Sequence, residues 1–515
     1  MFKVKSLLLL CLAAVLLLIP VITESAVTDG TISLQKTGQA KCYDSDGNET
    51  NCAGTGQDAA LLAGESWPDP RFTDNGDETV TDNLTGLMWA KDGNVMQARD
   101  PDFDADGSAG DGSVYWQHAL DYVAKLNTEN YLGHNDWHLP NVNELQSLIN
   151  ADEYNSAGWL NENGFTNVMP NDYWTSSTSI SYKVYAWAVY MGYGYSSTSD
   201  KNTTAYYVWP VRSGQMGTIS IQQTGNTKCY DSAGTEISCT GTGQDGDVRA
   251  GAEFPSPRFT DNGDGTVSDN LTGLMWTKSA NSGATTSTWQ EALDTVAGMN
   301  SASGTDGYTD WRLPNMNELK SLLDFSEDYP SLPQGHPFTG VRQDYYWTSS
   351  TLTAVPGSAF VVSMDISHVY YYSKKIEDYY GIWPVRGGEV EAPPEQFPDL
   401  TVKTLGSSGK PKKDKKITLS AVVKNIGEKS ASTSSVQFYL STNNNASSVE
   451  GDKLLGTTKA TGNIKVNGSK TVKLTLKVKG KAGNYYLKAF CDSGAIVTES
   501  NESNNIKVSK KISIK

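Results

Sequence analysis

GTISLQKTGQAKCYDSDGNETNC, from Gly30 to Cys52, returns as GTISIQQTGNTKCYDSAGTEISC from Gly217 to Cys239. Outward from this pair, the run Pro70-Arg71-Phe72-Thr73-Asp74-Asn75-Gly76-Asp77 matches Pro257-Arg258-Phe259-Thr260-Asp261-Asn262-Gly263-Asp264. NLTGLMW from Asn83 to Trp89 likewise matches Asn270 to Trp276. The spacing then shortens in the second copy, because the first carries an extra acidic loop. After that loop, Asp136-Trp137-His138-Leu139-Pro140-Asn141 aligns with Asp310-Trp311-Arg312-Leu313-Pro314-Asn315. YWTSS from Tyr173 aligns with the same run from Tyr346, and Trp209-Pro210-Val211-Arg212 with Trp383-Pro384-Val385-Arg386. A repeat of so long a period, present twice, predicts two modules at 27–213 and 214–388, each with enough chain for its own core.

The remaining length fits that division, since 515 residues suggest about three domains. Hydrophobic residues at 38% and 13 Trp exclude wholesale disorder. The net charge of -16 argues against a protein that coats nucleic-acid phosphates over its whole surface. That average conceals a segregation: residues 399–515 hold 21 Lys, no Arg and 8 acidic residues, while everything before them is strongly acidic. Residues 389–398, with Pro393-Pro394 and Pro398 among acidic residues, read as a stiff linker. At the other end, Lys3 and Lys5 precede an apolar run from Leu7 to Ile22 that closes on Thr23, Ser25 and Ala26. This layout predicts a signal peptide over 1–26, export, and no membrane span after cleavage. In an exported chain, the matched spacings of Cys42 with Cys52 and of Cys229 with Cys239 read as two disulfides. Cys491, inside the strand-like run Tyr485 to Cys491, reads as a buried thiol.

Periodicity gives each module an α+β character. Trp116, Ala119, Leu120, Val123 and Leu126 fall on one helical face, as do Trp289, Ala292, Leu293, Val296 and Met299. Asn141 with Glu144, and Asn315 with Glu318, have capping-box spacing at the start of a second helix. Asn75-Gly76 and Asp264-Gly265 signal hairpins, and Ala186 to Met191 alternates like a half-buried strand. The tail offers seven β-rich runs separated by Gly, Asn and Ser, which predicts an all-β Ig-like sandwich.

The ordered motifs FTDNGDGTVSDNLTGLMW (Phe259 to Trp276), DWRLPNMNELKSLL (Asp310 to Leu323), YWTSS and IWPVR resemble the bacterial Lcl C-terminal domain family across both copies. The Trp-Arg-Leu-Pro segment with its following helix also looks like the corresponding element of C-type-lectin-like domains, which implies that fold for each module. NIGEKSASTSSVQFYLS (Asn425 to Ser441), DKLLG (Asp452 to Gly456), YYLKAFCD (Tyr485 to Asp492) and VTESNESNN (Val497 to Asn505) resemble CARDB, the adhesion-related Ig-like domains of bacterial exported proteins. Both resemblances imply extracellular binding or adhesion without known catalysis, and neither assigns a ligand.

Candidate sites follow from residue chemistry. The five histidines, His118, His134, His138, His336 and His368, do not recur between copies, and His138 aligns with Arg312, so no shared histidine mechanism is available. Asp102, Asp104, Asp106 and Asp111, with Gly107 between them, reproduce the opening of a calcium loop, although Ser113 stands where a bidentate Glu belongs. Tyr190, Tyr193 and Tyr195 around Gly192 and Gly194, and Tyr370, Tyr371 and Tyr372 in the second copy, are candidate sugar-stacking platforms. Trp89, Trp137, Trp174 and Trp209 are expected in the core, and Arg212 and Arg386 in ion pairs with acids such as Asp136 and Asp310. Lys410, Lys412, Lys413, Lys415 and Lys416 give the tail a basic surface, read as protection of edge strands. No groove-reading motif accompanies that charge, so nucleic acid is not an expected partner. The sequence therefore reads as a secreted or surface-bound adhesion protein that recognises carbohydrate or surface polymers, with calcium a candidate cofactor and no enzymatic activity. A hydrolase using two carboxylates and a structural subunit with protein partners are the alternatives.

Overall fold

Pro-Arg-Phe-Thr opens a meander in each copy. In this computed structural model the strand Phe72–Asp74 turns at Asn75-Gly76, pairs with Thr79–Asp82, and leads to Leu87–Ala90, on which the closing strand Val211–Ser213 is laid. The second copy repeats the order with Phe259–Asp261, Thr266–Asp269, Met275–Thr277 and Val385–Arg386. The motif arginine is buried against the aspartate that ends the second strand: Arg258 Nε donates to Asp269 Oδ1 at 2.8 Å and its Nη2 to the Ser321 carbonyl at 2.8 Å. Arg71, Asp82 and Ser147 make the same arrangement. The recurrence of the motif is thus the recurrence of a buried ion pair that ties the meander to the capping-box helix.

The structure describes residues 30–515 apart from 105, 107, 282–287, 302–303, 377–379, 388–396, 410, 428, 461–462, 480 and 495. The expected signal peptide and most of the linker lie outside the described residues. No helix among the described residues is long and apolar enough to cross a membrane. The chain divides into two compact units, 1–393 and 394–515.

Within the first unit the expected helices form as Trp116–Thr128 and Trp289–Met299. Trp116 and Trp289 are fully buried, and their indole N–H groups donate to the Thr175 and Thr348 carbonyls at 2.8 and 2.7 Å. Both capping boxes are closed, Asn141 with Glu144 and Asn315 with Glu318. Each capping glutamate also holds the residue before the Leu-Pro step. Arg312 reaches Glu318 through both terminal nitrogens at 2.5 and 2.6 Å, whereas His138 Nε2 lies 3.0 Å from Glu144 Oε1. Burial opposes the imidazolium, but the Glu144 carboxylate overrides it, so the His138 pKa lies above its ordinary 6.5. The resulting stability is fully present below 6.5 and is lost as pH rises through the higher folded value. His138→Arg, which installs the permanent charge of the second copy, is expected to flatten that alkaline loss, read as the shift of urea midpoint between about pH 6 and pH 9. An unchanged pH slope would refute the pairing.

The first segment of each copy keeps a few bonds to its own copy, such as Gln35 Nε2 to the Ser147 carbonyl at 3.1 Å and the Phe325 N–H to that of Thr224 at 2.8 Å, but its hairpin docks on the other copy. Each begins with a small hairpin, Cys42–Tyr43 with Glu49–Thr50 or Cys229–Tyr230 with Glu236–Ile237, closed by the expected Cys42–Cys52 or Cys229–Cys239 disulfide. Asp58, behind the first hairpin, accepts from Ser350 Oγ of the second copy at 2.5 Å. Asp245, behind the second hairpin, accepts from Ser177 Oγ of the first at 2.6 Å. Asn315 and Asn317 donate to the Ala63 and Gln35 carbonyls at 3.0 and 3.1 Å, and Asn141 and Asn143 to those of Ala250 and Gln222, both at 3.2 Å. Lys374 lies 4.1 Å over the Trp289 ring and donates to the Tyr43 carbonyl; Lys201 lies 4.0 Å over Trp116 and donates to that of Tyr230. Burial pulls both ammonium groups down to about 7. The exchange also explains a glycine that opens each repeat, because a Cβ on Gly30 would stand 2.3 Å from the Thr272 backbone and one on Gly217 2.3 Å from that of Thr85. The first unit is therefore knit together by segments exchanged between the copies.

The second unit alternates buried and half-exposed residues along Lys416–Asn425 and Ser434–Ser441, which face one apolar core containing Leu419, Ala421, Val423, Val436 and Phe438. Leu400–Ser408, Lys416–Asn425 and Ser469–Lys477 form one sheet; Lys453–Ala460, Ser434–Ser441, Gly483–Cys491 and Ile506–Val508 form the other, with Ile512–Ile514 also on Gly483–Cys491. The last expected strand is thus two, interrupted at Ser509-Lys510-Lys511, which gives eight strands among the described residues where seven were expected. Cys491 is buried as expected, and burial pushes its thiol up, leaving it an inert core group. Lys412, Lys413, Lys415 and Lys416 are exposed, and Lys410 lies outside the described residues.

Candidate functional site

Two strand meanders carry the tyrosines singled out in the sequence. In the first copy Asp172–Thr178, Tyr185–Tyr190 and Ser196–Asp200 lie side by side; in the second, Tyr345–Thr351, Ser358–Ser363 and Val369–Ser373 do so. Ser196–Asp200 and Val369–Ser373 come together, and the Val369 N–H donates to Ser196 Oγ at 3.1 Å. Tyr190 ends its strand and the turn after it returns Tyr193 and Tyr195. Gly194 there has φ 79°, and a Cβ on Gly192 would lie 2.4 Å from the Tyr190 ring.

The tyrosines therefore form one run across the two copies. Tyr190 stacks on Tyr195 at 5.0 Å and meets Tyr193 edge-on at 5.3 Å. Tyr195 meets Tyr370 at 5.7 Å and Tyr371 at 6.2 Å, and those two stack at 5.0 Å. Tyr372 continues from Tyr370 at 5.4 Å to Tyr345 and Tyr380 at 5.3 and 5.1 Å. All six sequence candidates are half-buried. Register alters one detail of the expected correspondence: Tyr370, Tyr371 and Tyr372 oppose Val361, Phe360 and Ala359, the places that Ser197, Thr198 and Ser199 hold opposite Ala188, Trp187 and Ala186. They are neighbours of the first copy's tyrosines rather than their counterparts.

Sequence reasoning missed Asp172, which is the cross-strand partner of Tyr190. Its Oδ1 is buried with no hydrogen-bond partner, and burial pushes its carboxyl up to about 6. Burial first, and this carboxylate second, raise the Tyr195 hydroxyl. The available signal was the residue before YWTSS, Asp172 in one copy and Tyr345 in the other.

Trp89, Trp137, Trp174 and Trp209 are buried, as expected. Arg212 Nε donates to Asp136 Oδ1, and Arg386 Nε to Asp310 Oδ1, both at 2.7 Å, so these arginines serve internal pairs.

In the acidic loop, Asp104 Oδ2 accepts from Gly112 N at 2.8 Å, Asp106 Oδ2 from Tyr115 N at 2.7 Å and Asp111 Oδ1 from Ser113 N at 2.8 Å, while Asp102 is exposed. Asp104 Oδ1 is buried without a hydrogen-bond partner, which suits a cation. Among the described residues no three of these four bring ligand oxygens within 4.8 Å of one another; Asp492, Glu499 and Glu502 of the second unit do. That trio lies outside the sequence candidates, although Glu499 and Glu502 stand in the VTESNESNN run. Burial pushes the Glu499 carboxyl up to about 7.

The Lcl C-terminal domain model matches residues 78–212 and 265–386, and the CARDB model matches 397–509. Similar solved structures include the CARDB domain of a Pyrococcus furiosus protein in complex with di-metal ions, at 22% identity over 23% of this chain and 90% of that one, TM-score 0.19. A Methanosarcina acetivorans domain matches at 20% identity over 23% and 93%, TM-score 0.19. A Listeria innocua β-glucosidase in complex with glucose matches at 15% over 25% and 17%, TM-score 0.16. No curated protein matches the sequence.

Proposed function

For a chain that carries two Lcl C-terminal domains followed by a CARDB domain, we propose the role of an exported surface or secreted adhesion protein that recognises carbohydrate polymers. The domain composition is that of a surface- or adhesion-related protein, and two disulfides suit an extracellular setting. The observation that carries the carbohydrate reading is the half-buried tyrosine run from Tyr193 to Tyr372, which offers ring faces and hydroxyls to a chain-like ligand along both copies. A C-type-lectin-like fold for the modules is supported by the Trp-Arg-Leu-Pro segment leading into the capped helix. Calcium is a proposed cofactor of the Asp102, Asp104, Asp106 and Asp111 loop, supported by the orphaned oxygen of Asp104.

Binding is favoured over hydrolysis because the buried carboxyls Asp58 and Asp245 are engaged by hydroxyls of the opposite copy rather than paired across a cleft. The test is a glycan array probed with the full chain, with calcium and again with chelator. Saturable binding to one glycan class, abolished by Tyr195→Ala, is expected; loss in chelator that Asp104→Asn reproduces would assign the acidic loop rather than the Asp492, Glu499 and Glu502 trio. No binding in either condition would overturn the carbohydrate reading.

A further inference from the structure

Asp172 is the feature of the tyrosine run that its folding role leaves unexplained. It sits half-buried opposite Tyr190, with a carboxylate oxygen that nothing in the described chain engages. In the second copy the equivalent position is Tyr345, and that side chain packs against Tyr372 and Tyr380. The fold thus accepts an aromatic ring where the first copy keeps a carboxylate. Burying an unpaired carboxylate costs free energy, and a bound cation would remove that cost.

Resting on the carbohydrate reading above, we propose that the run binds a polysaccharide of amino sugars with free amino groups, one of its ammonium groups held by Asp172 beside Tyr190 and Tyr195. Aromatic rings and a carboxylate together favour an ammonium over a neutral or anionic group. A single ammonium would need one or two rings, whereas five, Tyr193, Tyr190, Tyr195, Tyr370 and Tyr371, follow one another at centroid distances of 5.0 to 6.2 Å. Such a run fits an extended chain whose sugar faces stack on rings and whose amino groups project from the sugar edge. The acidic character of the chain before the tail adds attraction for a cationic polymer and repels sulfated or uronic ones.

Calorimetric titration of the full chain with glucosamine oligomers, and with the same oligomers N-acetylated, tests this. The free amine should bind about tenfold or more tightly than the acetylated form, and Asp172→Asn should erase that preference while leaving acetylated binding in place. Equal affinity of the two forms, or a preference that survives Asp172→Asn, would overturn the inference. Binding of acetylated or other neutral glycans without amine preference would refute only the amino-sugar assignment. Failure of every saccharide would remove the carbohydrate reading beneath it. Where Asp172→Asn does not fold, Asp172→Tyr, which installs the second copy's residue, should erase the same preference.

Discussion

Residues 217–387 produced alone are expected to purify as a symmetric dimer. The docking site in the second copy is made by Ser350, Asn315, Asn317 and Lys374, and in the full chain it is filled by Asp58, Ala63, Gln35 and Tyr43 of the first. The second copy carries the matching set itself, Asp245, Ala250, Gln222 and Tyr230, now docked on the first copy. A fragment holding both the donor segment and its receptor, arranged so that they meet on different copies, can satisfy each only in a partner. That is the condition for a closed two-fold exchange. Light scattering should give twice the fragment mass, and the dimer should melt at a temperature that rises with concentration. A monomer with a concentration-independent melt would overturn the exchange, since it would require the Cys229–Tyr230 hairpin to fold back onto its own copy. The duplicated chain then reads as such a dimer made covalent, and the tyrosine run is its product: Tyr195 meets Tyr370 only because two copies lie against each other.

Local features were legible and the exchange was not, for one physical reason. Capping boxes, the Trp-led helices and the Asn-Gly hairpins depend on residues a few positions apart, so Asn141 with Glu144 or Asn75 with Gly76 declares itself in the chain. Which copy receives a hairpin depends on complementary surfaces that the two copies share. Asp58 and Asp245 are equally suited to Ser350 and Ser177, so the sequence is degenerate at that choice. The tyrosines were visible as candidates, but their union into one run follows from the exchange. The acidic loop shows the opposite limit. Its spacing suits calcium, but the same aspartates also serve the backbone: Asp111 makes an Asx turn to Ser113, and Asp104 and Asp106 accept from the N–H groups of Gly112 and Tyr115.

At about pH 4.5, Asp58→Ala is expected to cost about 2–4 kcal/mol in the unfolding of the first unit, and Asp245→Ala a similar amount. Asp58 Oδ2 accepts from both Thr37 at 2.7 Å and Ser350 at 2.5 Å in a buried contact, so alanine strands two hydroxyls away from water. Asp58→Asn behaves differently. It keeps an oxygen for the hydroxyls and removes a charge whose burial pushes the carboxyl from 3.8 up to about 6. Because the folded value lies above the unfolded one, this group's contribution is fully present below about pH 4 and is lost as pH rises through about 6. The loss is on the order of 3 kcal/mol. Urea unfolding of the wild type and both variants, run in parallel at about pH 4.5 and about pH 7.5, separates hydrogen bond from charge. Alanine should be clearly destabilised at the lower value and less so at the higher, where it too sheds the buried charge, and asparagine should match or exceed the wild type at the higher one. An alanine variant as stable as the wild type at the lower pH would mean that the Asp58 contact does not fasten the two copies together. An asparagine variant as damaged as alanine at the higher pH would mean that the ionised carboxylate is itself required.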